Sequence, residues 1–497
     1  MARTIGGPSP RRGSDLPRAY VETYGCQMNI ADGELMQGIL DGAGYRIASS
    51  PEEADVILVN TCAIRENAER RVIGRVGQLS GLKRAKPDLV LGVTGCMAQR
   101  MGEELLAKAS AVDLVMGPDG YRSLPEKLAA LREGGSPEGE PAGASSAGTA
   151  SGDSCSSGFR TAVPGNGRRR GLQLAVLDLD LDENYAGLET RRSEGPSAWV
   201  PIQRGCNHRC TFCIVPYVRG SEKNRDPAEI IAEIRRLAAA GVSEVTLLGQ
   251  TVNSYGRGEW GFPRLLRSVA RIDGIRRVRF TSPHPNDLSE ELVEVMATEP
   301  SVCEQLHLPV QSGSDRVLRR MLRRYTVESF MAKVELARSA IDDLALSTDV
   351  IVAFPDETEE EFEATLDLMR DVRFDDAFTY KYSPRPGTPA TRLPAGQFIG
   401  PEIGSRRLSE LIDVTREIQA EINRDEVGRV EEVLVEREAR YPGQLLGRTR
   451  RNKVVAFASD RLRPGDYARV KLDSTTGATF AGHESPFADE LLAHAAG

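Results

Sequence analysis

The chain has 497 residues and a net charge of -8, from 64 Lys and Arg against 72 Asp and Glu; 40% of its residues are hydrophobic, which excludes wholesale disorder. No apolar run approaches the ~20 residues of a membrane span. The start, MARTIGGPSPRRGSDLPR, lacks the hydrophobic stretch of a secretory leader. The eight cysteines are therefore expected in a reducing cytoplasm, where metal or catalytic roles come before disulfides. The acidic total weighs against a nucleic-acid partner.

The length suggests about three domains. After a frayed start of about 17 residues, the segment 18–132 alternates apolar, β-branched runs (RAYVETYG, ADVILVN, LVLGVTG) with helical stretches at 65–79 and 102–109. That alternation predicts a parallel, helix-covered sheet. Residues 133–170, rich in Gly, Ser, Pro, Ala and Glu, read as a linker with little to bury. The run LQLAVLDLDLD at 172–182 reads as a strand leading back into order. A second βα series follows within 198–424. Its expected strands are 199–203, 243–249, 277–281, 305–309, 346–353 and 377–382. Asp226, Pro227 and Gly241 punctuate one intervening helix as N-cap, first residue and stop. Six such units are too few for an eight-stranded barrel and suit an open, partial one. A helix is expected over 402–424, and short strands separated by Gly, Pro and Asp over 425–490 predict a small all-β barrel or sandwich. The fold class is thus α/β, with an N-terminal parallel α/β domain, a central partial (β/α)6 barrel and a C-terminal β-barrel.

Six of the cysteines fall into two sets. RGCNHRCTFC places Cys206, Cys210 and Cys213 in the loop after the first barrel strand, where active sites of such barrels collect. Thiolates are the usual iron–sulfur ligands, and three leave one iron of a [4Fe–4S] cube open. A zinc site with His208 as fourth ligand is the alternative. Cys26, Cys62 and Cys96 each follow an expected strand of the first domain, one βα unit apart. In a parallel sheet such positions emerge at one edge, with neighbouring strands under about 5 Å apart. Three thiolates gathered there suit a second cluster; three buried cysteines packing as small hydrophobes is the bland alternative. Cys155 and Cys303 have no neighbours that suggest ligation.

These motifs resemble a known family. RGCNHRCTFC is similar to the signature of radical S-adenosylmethionine enzymes. TYGCQMN at 23–29, NTCAIRENAE at 60–69 and GCMAQR at 95–100 resemble the N-terminal domain of the methylthiotransferases. LLGQTVNSYG, TSPHP, HLPVQSGSDRVL and YSPRPGTPA extend the match in the family's order, and GQLLGRTRRNKVVAF resembles the RNA-binding TRAM barrel. TYGCQMN in particular resembles the branch that makes 2-methylthio-N6-isopentenyladenosine in tRNA. The chain departs from the family at Ala353 and Asp356, where glycine is usual, so the turn in IVAFPDET is expected to be free to differ.

The resemblance implies two [4Fe–4S] clusters and S-adenosylmethionine. The open iron of the Cys206, Cys210 and Cys213 cluster chelates S-adenosylmethionine and one electron cleaves it. The resulting 5′-deoxyadenosyl radical takes the hydrogen from carbon 2 of the adenine, a C–H beyond the reach of acid–base chemistry. The cluster on Cys26, Cys62 and Cys96 carries the sulfur that is methylated and transferred. Gly249, Gln250 and Asn253 end the second barrel strand, Ser282 and His284 the third, and His307 and Gln311 flank the fourth. Their strand-end placement makes them candidates to line the S-adenosylmethionine pocket, with a structural role as the alternative for each. The expected partners are the tRNA anticodon loop, whose bases splay out readily, an electron donor such as a flavodoxin or ferredoxin, and a sulfur-supplying system. No membrane is expected; a cytoplasmic monomer is. Within the class, threonylcarbamoyl-adenosine in tRNA or an aspartate of a ribosomal protein are alternative targets. A non-catalytic iron–sulfur protein that binds RNA is the alternative of another class.

The C-terminal domain supports RNA. Between Arg440 and Lys471 lie nine Arg or Lys against only Asp460 and Asp466, a local charge of about +7 hidden by the acidic total. Tyr441, Phe457 and Tyr467 are interleaved, either to stack on bases or to fill the core.

Overall fold

The computed structural model describes residues 16–63, 66–133, 173–180, 182–192 and 195–485. The first 15 residues, the expected linker beyond 133 with its Cys155, and the end of the β domain past 485 lie outside them. The chain divides into two compact units. One is Met1–Ser193 with Tyr217–Gly220; the other is Glu194–Pro216 with Ser221–Gly497.

In the first unit, six parallel strands form one sheet: β1 (Arg18–Thr23), β2 (Arg46–Ile47), β3 (Val56–Thr61), β4 (Val90–Gly95), β5 (Leu114–Met116) and β6 (Leu174–Val176). Their spatial order is β2-β1-β3-β4-β5-β6. The apolar runs VILVNT and VLGVTG are buried along their whole length, as a sheet covered on both faces requires. Alternate residues serve opposite faces. Ile57, Val59, Leu91 and Val93 pack against Val72 and Val76 of the helix Glu66–Ser80. Val56, Leu58, Val90 and Leu114 pack against Leu35, Met36 and Leu40 of the helix Gln27–Gly42. Among the described residues of the run at 172–182, three form β6, which closes the far edge of the sheet against β5.

The second unit holds two three-stranded parallel sheets. β7 (Ser197–Pro201), β8 (Glu244–Leu248) and β9 (Arg277–Phe280) form one; β10 (Gln305–His307), β11 (Ala345–Val352) and β12 (Asp376–Lys381) form the other. A parallel bridge between Val278 and Val302 links them, with Cys303 N donating to Val278 O at 3.0 Å. The six strands thus run in sequence order around an open, partial barrel, each within two residues of its expected start. One continuous core, including Val245, Leu247, Val278 and Leu346 from strands and Ile230, Leu266, Leu292 and Phe362 from helices, lies between the two layers.

The helix starts follow their capping chemistry. Asp226 accepts from Ala228 N ahead of Pro227–Ala239, and Thr358 with Glu361 forms a reciprocal box at the start of Glu359–Val372. The expected helix at 402–424 is Pro401–Asp425. Beyond it, β13 (Val430–Glu438), β14 (Gln444–Thr449), β15 (Val454–Ala458), β16 (Tyr467–Thr475) and β17 (Thr479–Glu484) close into a barrel around Val433, Val455, Phe457, Val470 and Phe480.

The turn at Ala353 and Asp356 keeps a glycine-type backbone although neither residue is glycine. Ala353 has φ 58° and Asp356 φ 67°, conformations that cost a side-chain-bearing residue about 1–2 kcal/mol. Neighbours hold them in place. Ala353 N donates to Glu357 Oε2 at 2.6 Å, and Asp356 Oδ2 receives Arg316 Nη1 at 2.9 Å.

Candidate metal centres

In the first unit the chain leaves β1 toward the β2 side and returns through β3 on the other. The boundary between β1 and β3 is therefore the topological switch point, where open α/β sheets form their crevice at the carboxyl ends of the strands. Cys26 follows β1, Cys62 follows β3 and Cys96 follows β4, all at that edge. Side-chain amides and hydroxyls tie the three strand ends together. Asn29 Nδ2 donates to Thr61 O at 3.1 Å, Asn60 Nδ2 to Asn29 O at 2.7 Å, and Thr61 Oγ1 to Thr94 O at 2.8 Å. Two glycines permit the approach. A Cβ on Gly25 (φ 137°) lands 2.5 Å from the Cys62 Cβ, and one on Gly95 (φ 91°) lands 2.4 Å from Asn60 Oδ1.

The electrostatics treat the thiols differently. A hydrogen bond with Cys62, aided by the nearby Arg219 cation, lowers the Cys26 thiol to about 6 against the opposing effect of burial. Burial raises Cys96, and Arg219 opposes it: Nε lies 3.1 Å from Cys96 Sγ, while Nη2 pairs with Asp32 Oδ2 at 2.6 Å. Sequence reasoning missed Arg219, Asp32, Asn29 and Asn60. The signal was present for Arg219 as a lone basic residue in the apolar IVPYVRG run just past Cys213.

In the second unit, Cys206, Cys210 and Cys213 lie in the loop after β7, at the carboxyl end of the strand. The loop is pinned through its backbone: Thr211 N donates to Met321 O at 3.0 Å and Ala390 N to Thr211 O at 2.9 Å. Burial drives the Cys213 thiol up to about 12, with the neighbouring Cys210 adding to the rise, and burial raises Cys206 as well. Burial thus keeps these two thiols protonated, and a metal that bound them would displace those protons. Arg323, buried at 7% exposure, donates from Nη1 to Cys210 Sγ at 3.5 Å and from Nη2 to Pro309 O at 3.0 Å. Its cation suits a centre that gathers negative thiolates. The fourth ligand of the zinc alternative does not turn toward the thiols: His208 Nε2 lies 3.1 Å from Asp287 Oδ2, and its ring stacks on His284 at 3.9 Å. Each triplet thus gathers three cysteines at the carboxyl ends of parallel strands. Cys303, 2% exposed, lies just before β10.

The candidate pocket residues divide. Gly249 fits a tight place, since a Cβ there lands 2.9 Å from Gln203 Oε1. Gln250 Oε1 is buried without a hydrogen-bond partner among the described residues. Asn253 uses both ends of its amide on His284: Nδ2 donates to His284 O at 2.9 Å and Oδ1 accepts from His284 N at 2.7 Å. His284, desolvated and near Arg323, is held neutral at about 2 and stacks on His208 of the cysteine loop. Ser282 (φ 58°) is exposed beside it, and Gln311 (φ 73°) is locked by its backbone to Asp349 and Ile351 of β11. His307 stands apart, with Nδ1 3.0 Å from Ser347 Oγ and its ring edge-on to Phe378.

The basic surface of the C-terminal barrel is smaller than its composition suggests. Arg450 pairs with Glu304, Arg451 with Glu426 and Glu431, Lys453 with Asp375, Arg448 with Glu436 and Arg461 with Glu484. Phe457 fills the core and Tyr467 lies beneath the Arg276 guanidinium, so of the three aromatics Tyr441 alone is open, at 67% exposure. Arg440, Arg463, Arg469 and Lys471 remain on the surface without a carboxylate partner among the described residues.

Residues 18–117 match a family described as uncharacterized protein family UPF0004, residues 200–369 the radical SAM superfamily, and residues 424–482 the TRAM domain. The tRNA-2-methylthio-N(6)-dimethylallyladenosine synthase of Chloroherpeton thalassium is 42% identical over 470 residues, covering 94% of this chain and 96% of that protein. The protein of the same name from Acidothermus cellulolyticus is 42% identical over 494 residues, covering 98% of this chain and 90% of that one. Among solved structures, the radical S-adenosylmethionine methyltransferase TsrM from Kitasatospora setae has a TM-score of 0.52 at 15% identity, over 87% of this chain and 80% of that one. That likeness is one of fold. Among the described residues no helix is long and apolar enough to cross a membrane.

Proposed function

The chain belongs to the family of tRNA-2-methylthio-N(6)-dimethylallyladenosine synthases, and we propose that it places a methylthio group on carbon 2 of N6-isopentenyladenosine at position 37 of tRNA. It is a radical S-adenosylmethionine enzyme whose cofactors are S-adenosylmethionine and [4Fe–4S] clusters. The reading of two clusters rests on one observation: two separate cysteine triplets, each at carboxyl ends of parallel strands, each with three sulfur donors.

Cys206, Cys210 and Cys213 hold the first cluster, and Cys26, Cys62 and Cys96 the second. When bound, the first cluster supplies the electron that cleaves S-adenosylmethionine; the cofactors carry the radical chemistry. The protein's own groups position and shield. Arg323 places a buried cation beside Cys210. Asn253 fixes the loop that carries His284 against the cysteine loop. Gly249 leaves room at the strand end, and Gln250 offers an unpaired carbonyl to a ligand. Ser282, His307 and Gln311 border the barrel mouth.

The functional division follows 18–132 for the second cluster, 198–424 for the radical chemistry and 425–490 for tRNA. The surface Arg440, Arg463, Arg469 and Lys471 with Tyr441 support that last role. A flavodoxin or ferredoxin as donor, a sulfur-supplying system, a monomeric state and a cytoplasmic site of action complete the reading.

The reconstituted protein, incubated without oxygen with reductant and S-adenosylmethionine, should release 5′-deoxyadenosine; its absence sinks the enzyme reading. Mass spectrometry of tRNA nucleosides from a strain lacking the protein names the product. Cys210→Ala should abolish cleavage. Cys62→Ala should retain some cleavage but insert no sulfur.

A further inference from the structure

Strands β10, β11 and β12 carry a group of side chains apart from both cysteine centres. Leu306, Leu346 and Val350 belong to the core on the helix side, and Ala377 packs against it. Successive strand residues face opposite ways, so His307, Ser347, Asp349 and Phe378 share the other face, inside the partial barrel. Ser347 is in register with His307, and Asp349 with Phe378. His307 touches all three of the others. Its Nδ1 lies 3.0 Å from Ser347 Oγ and its Nε2 3.5 Å from Asp349 Oδ2, and its ring meets Phe378 edge-on with centroids 5.7 Å apart. Phe378 is 47% exposed, an open phenyl ring on the inner face of a barrel strand. Among the described residues, His307 is the one ion-pair partner of the Asp349 carboxylate. Ile351, two residues farther along the same face of β11, packs against the cluster of Val317, Met321, Phe354 and Ala390, as does Phe212 of the Cys206–Cys213 loop. The group therefore lies inside the barrel, below that loop.

We propose that this inner face reads the N6 substituent of the target adenine: Phe378 covers an apolar tail, and Asp349 accepts the hydrogen on the same nitrogen. The proposal rests on the reading that the chain modifies an N6-substituted adenosine. An adenine with one alkyl group on N6 presents an N–H donor and an apolar tail side by side. Asp349 and Phe378, partners in register, present an acceptor and an apolar ring side by side. A hydrogen bond to an ionised carboxylate is stronger than one to a neutral acceptor. The same carboxylate discriminates. A tail that ends in a carboxylate, as in threonylcarbamoyl-adenosine, meets a like charge at Asp349 and an apolar ring that does not solvate it. One pair of residues thus admits the isopentenyl group and turns away the acidic one. His307 is a positioning residue: Ser347 orients its ring, and the ring meets both Asp349 and Phe378.

The experiment uses the full chain with its clusters reconstituted, supplied without oxygen with reductant and S-adenosylmethionine. The probes are three anticodon stem-loop RNAs that differ only at A37, which is unmodified, N6-isopentenylated or N6-threonylcarbamoylated. Methylthiolated product is followed by mass spectrometry, and kcat/KM is measured for each RNA. A native protein that methylthiolates none of the three refutes the functional reading and takes this proposal with it. With turnover present, RNAs are compared as ratios within one preparation, so a change in the folded fraction cancels. Phe378→Ala should lower the preference for isopentenylated over unmodified RNA by on the order of tenfold, the discrimination an apolar pocket supplies, and Phe378→Leu should recover part of it. Asp349→Asn should raise turnover of the threonylcarbamoylated RNA relative to the isopentenylated one by roughly the same factor. An unmoved ratio in either variant overturns the role of that residue, and unmoved ratios in both overturn the proposal. A raised KM for S-adenosylmethionine with both ratios unmoved overturns it too, by assigning the face to that cofactor.

Discussion

The Asn253 carboxamide and the His284 peptide hold each other by two hydrogen bonds, at 2.9 and 2.7 Å, joining the ends of the second and third barrel strands. Asn253 is 8% exposed and His284 6%, so neither bond is readily replaced by water. Asn253→Ala leaves a buried N–H and carbonyl unpaired, at about 1–3 kcal/mol each. The expected outcome is a lower melting temperature together with weaker S-adenosylmethionine binding by isothermal titration. Unchanged binding would assign Asn253 to the scaffold alone.

Arg323 bears on the first centre in the same direct way. Its guanidinium lies 3.5 Å from Cys210 Sγ and is almost wholly buried. A fixed cation favours the more negative, reduced state of a nearby cluster. In a background lacking Cys26, Cys62 and Cys96, Arg323→Gln should move the cluster's midpoint potential to more negative values, and Arg323→Lys should move it less. A redox titration followed by electron paramagnetic resonance decides; an unmoved potential removes Arg323 from this role.

The barrel at the C-terminus is held by buried charge, which governs how its function is tested. Arg277, 0% exposed, donates to Arg448 O and Glu432 O, both at 2.8 Å, and Arg279 donates to Thr449 O and Arg450 O at 2.8 Å. Deleting the barrel strands these two arginines, so the deletion reports on folding as well as on RNA. Surface substitutions are cleaner. Arg469 and Lys471 point outward from β16 between the buried Ala468, Val470 and Leu472. Arg469→Ala with Lys471→Ala should reduce the salt dependence of tRNA binding by roughly one to two phosphate contacts and leave the melting temperature unchanged. Arg450→Ala should do the reverse, because that side chain is spent on Glu304.

Glu357 gives a pH dependence of known sign. Its buried carboxyl is raised by desolvation to about 7, against the opposing pull of Ala353 N and Arg407. A folded value above the unfolded one means the contribution to stability is complete below the unfolded value of 4.5 and is lost as pH rises through about 7. The loss is roughly 3 kcal/mol. Urea unfolding at pH 5 and pH 8 should show it in the native protein. Glu357→Gln should flatten that difference; an equal pH dependence in the variant refutes the assignment.

Much of the architecture was legible because it depends on local spacing. β-branched runs separated by capped helices announce parallel βα units wherever they lie, and Asp226 with Pro227, or Thr358 with Glu361, fix helix starts from within a few residues. The turn at Ala353 and Asp356 was less legible. The sequence shows two residues without glycine's freedom, yet Glu357 and Arg316 hold both at positive φ, and only the folded chain brings Arg316 to Asp356.

What the sequence determined by itself is the placement of cysteines at the strand ends. Two cysteine triplets, one of tight local spacing and one repeating with the βα unit, need no knowledge of long-range contacts, because a parallel sheet places all its carboxyl ends on one edge. Tertiary structure alone decided which charges remain available. Arg450, Arg451 and Lys453 count as basic in composition, but carboxylates from Glu304, Glu426 and Asp375, far away in the chain, neutralise them. Arg219 and Arg323 count as ordinary surface types, but folding buries each against a cysteine. A charge's role depends on its partner and its exposure, and both are set by packing between residues that sequence spacing does not relate.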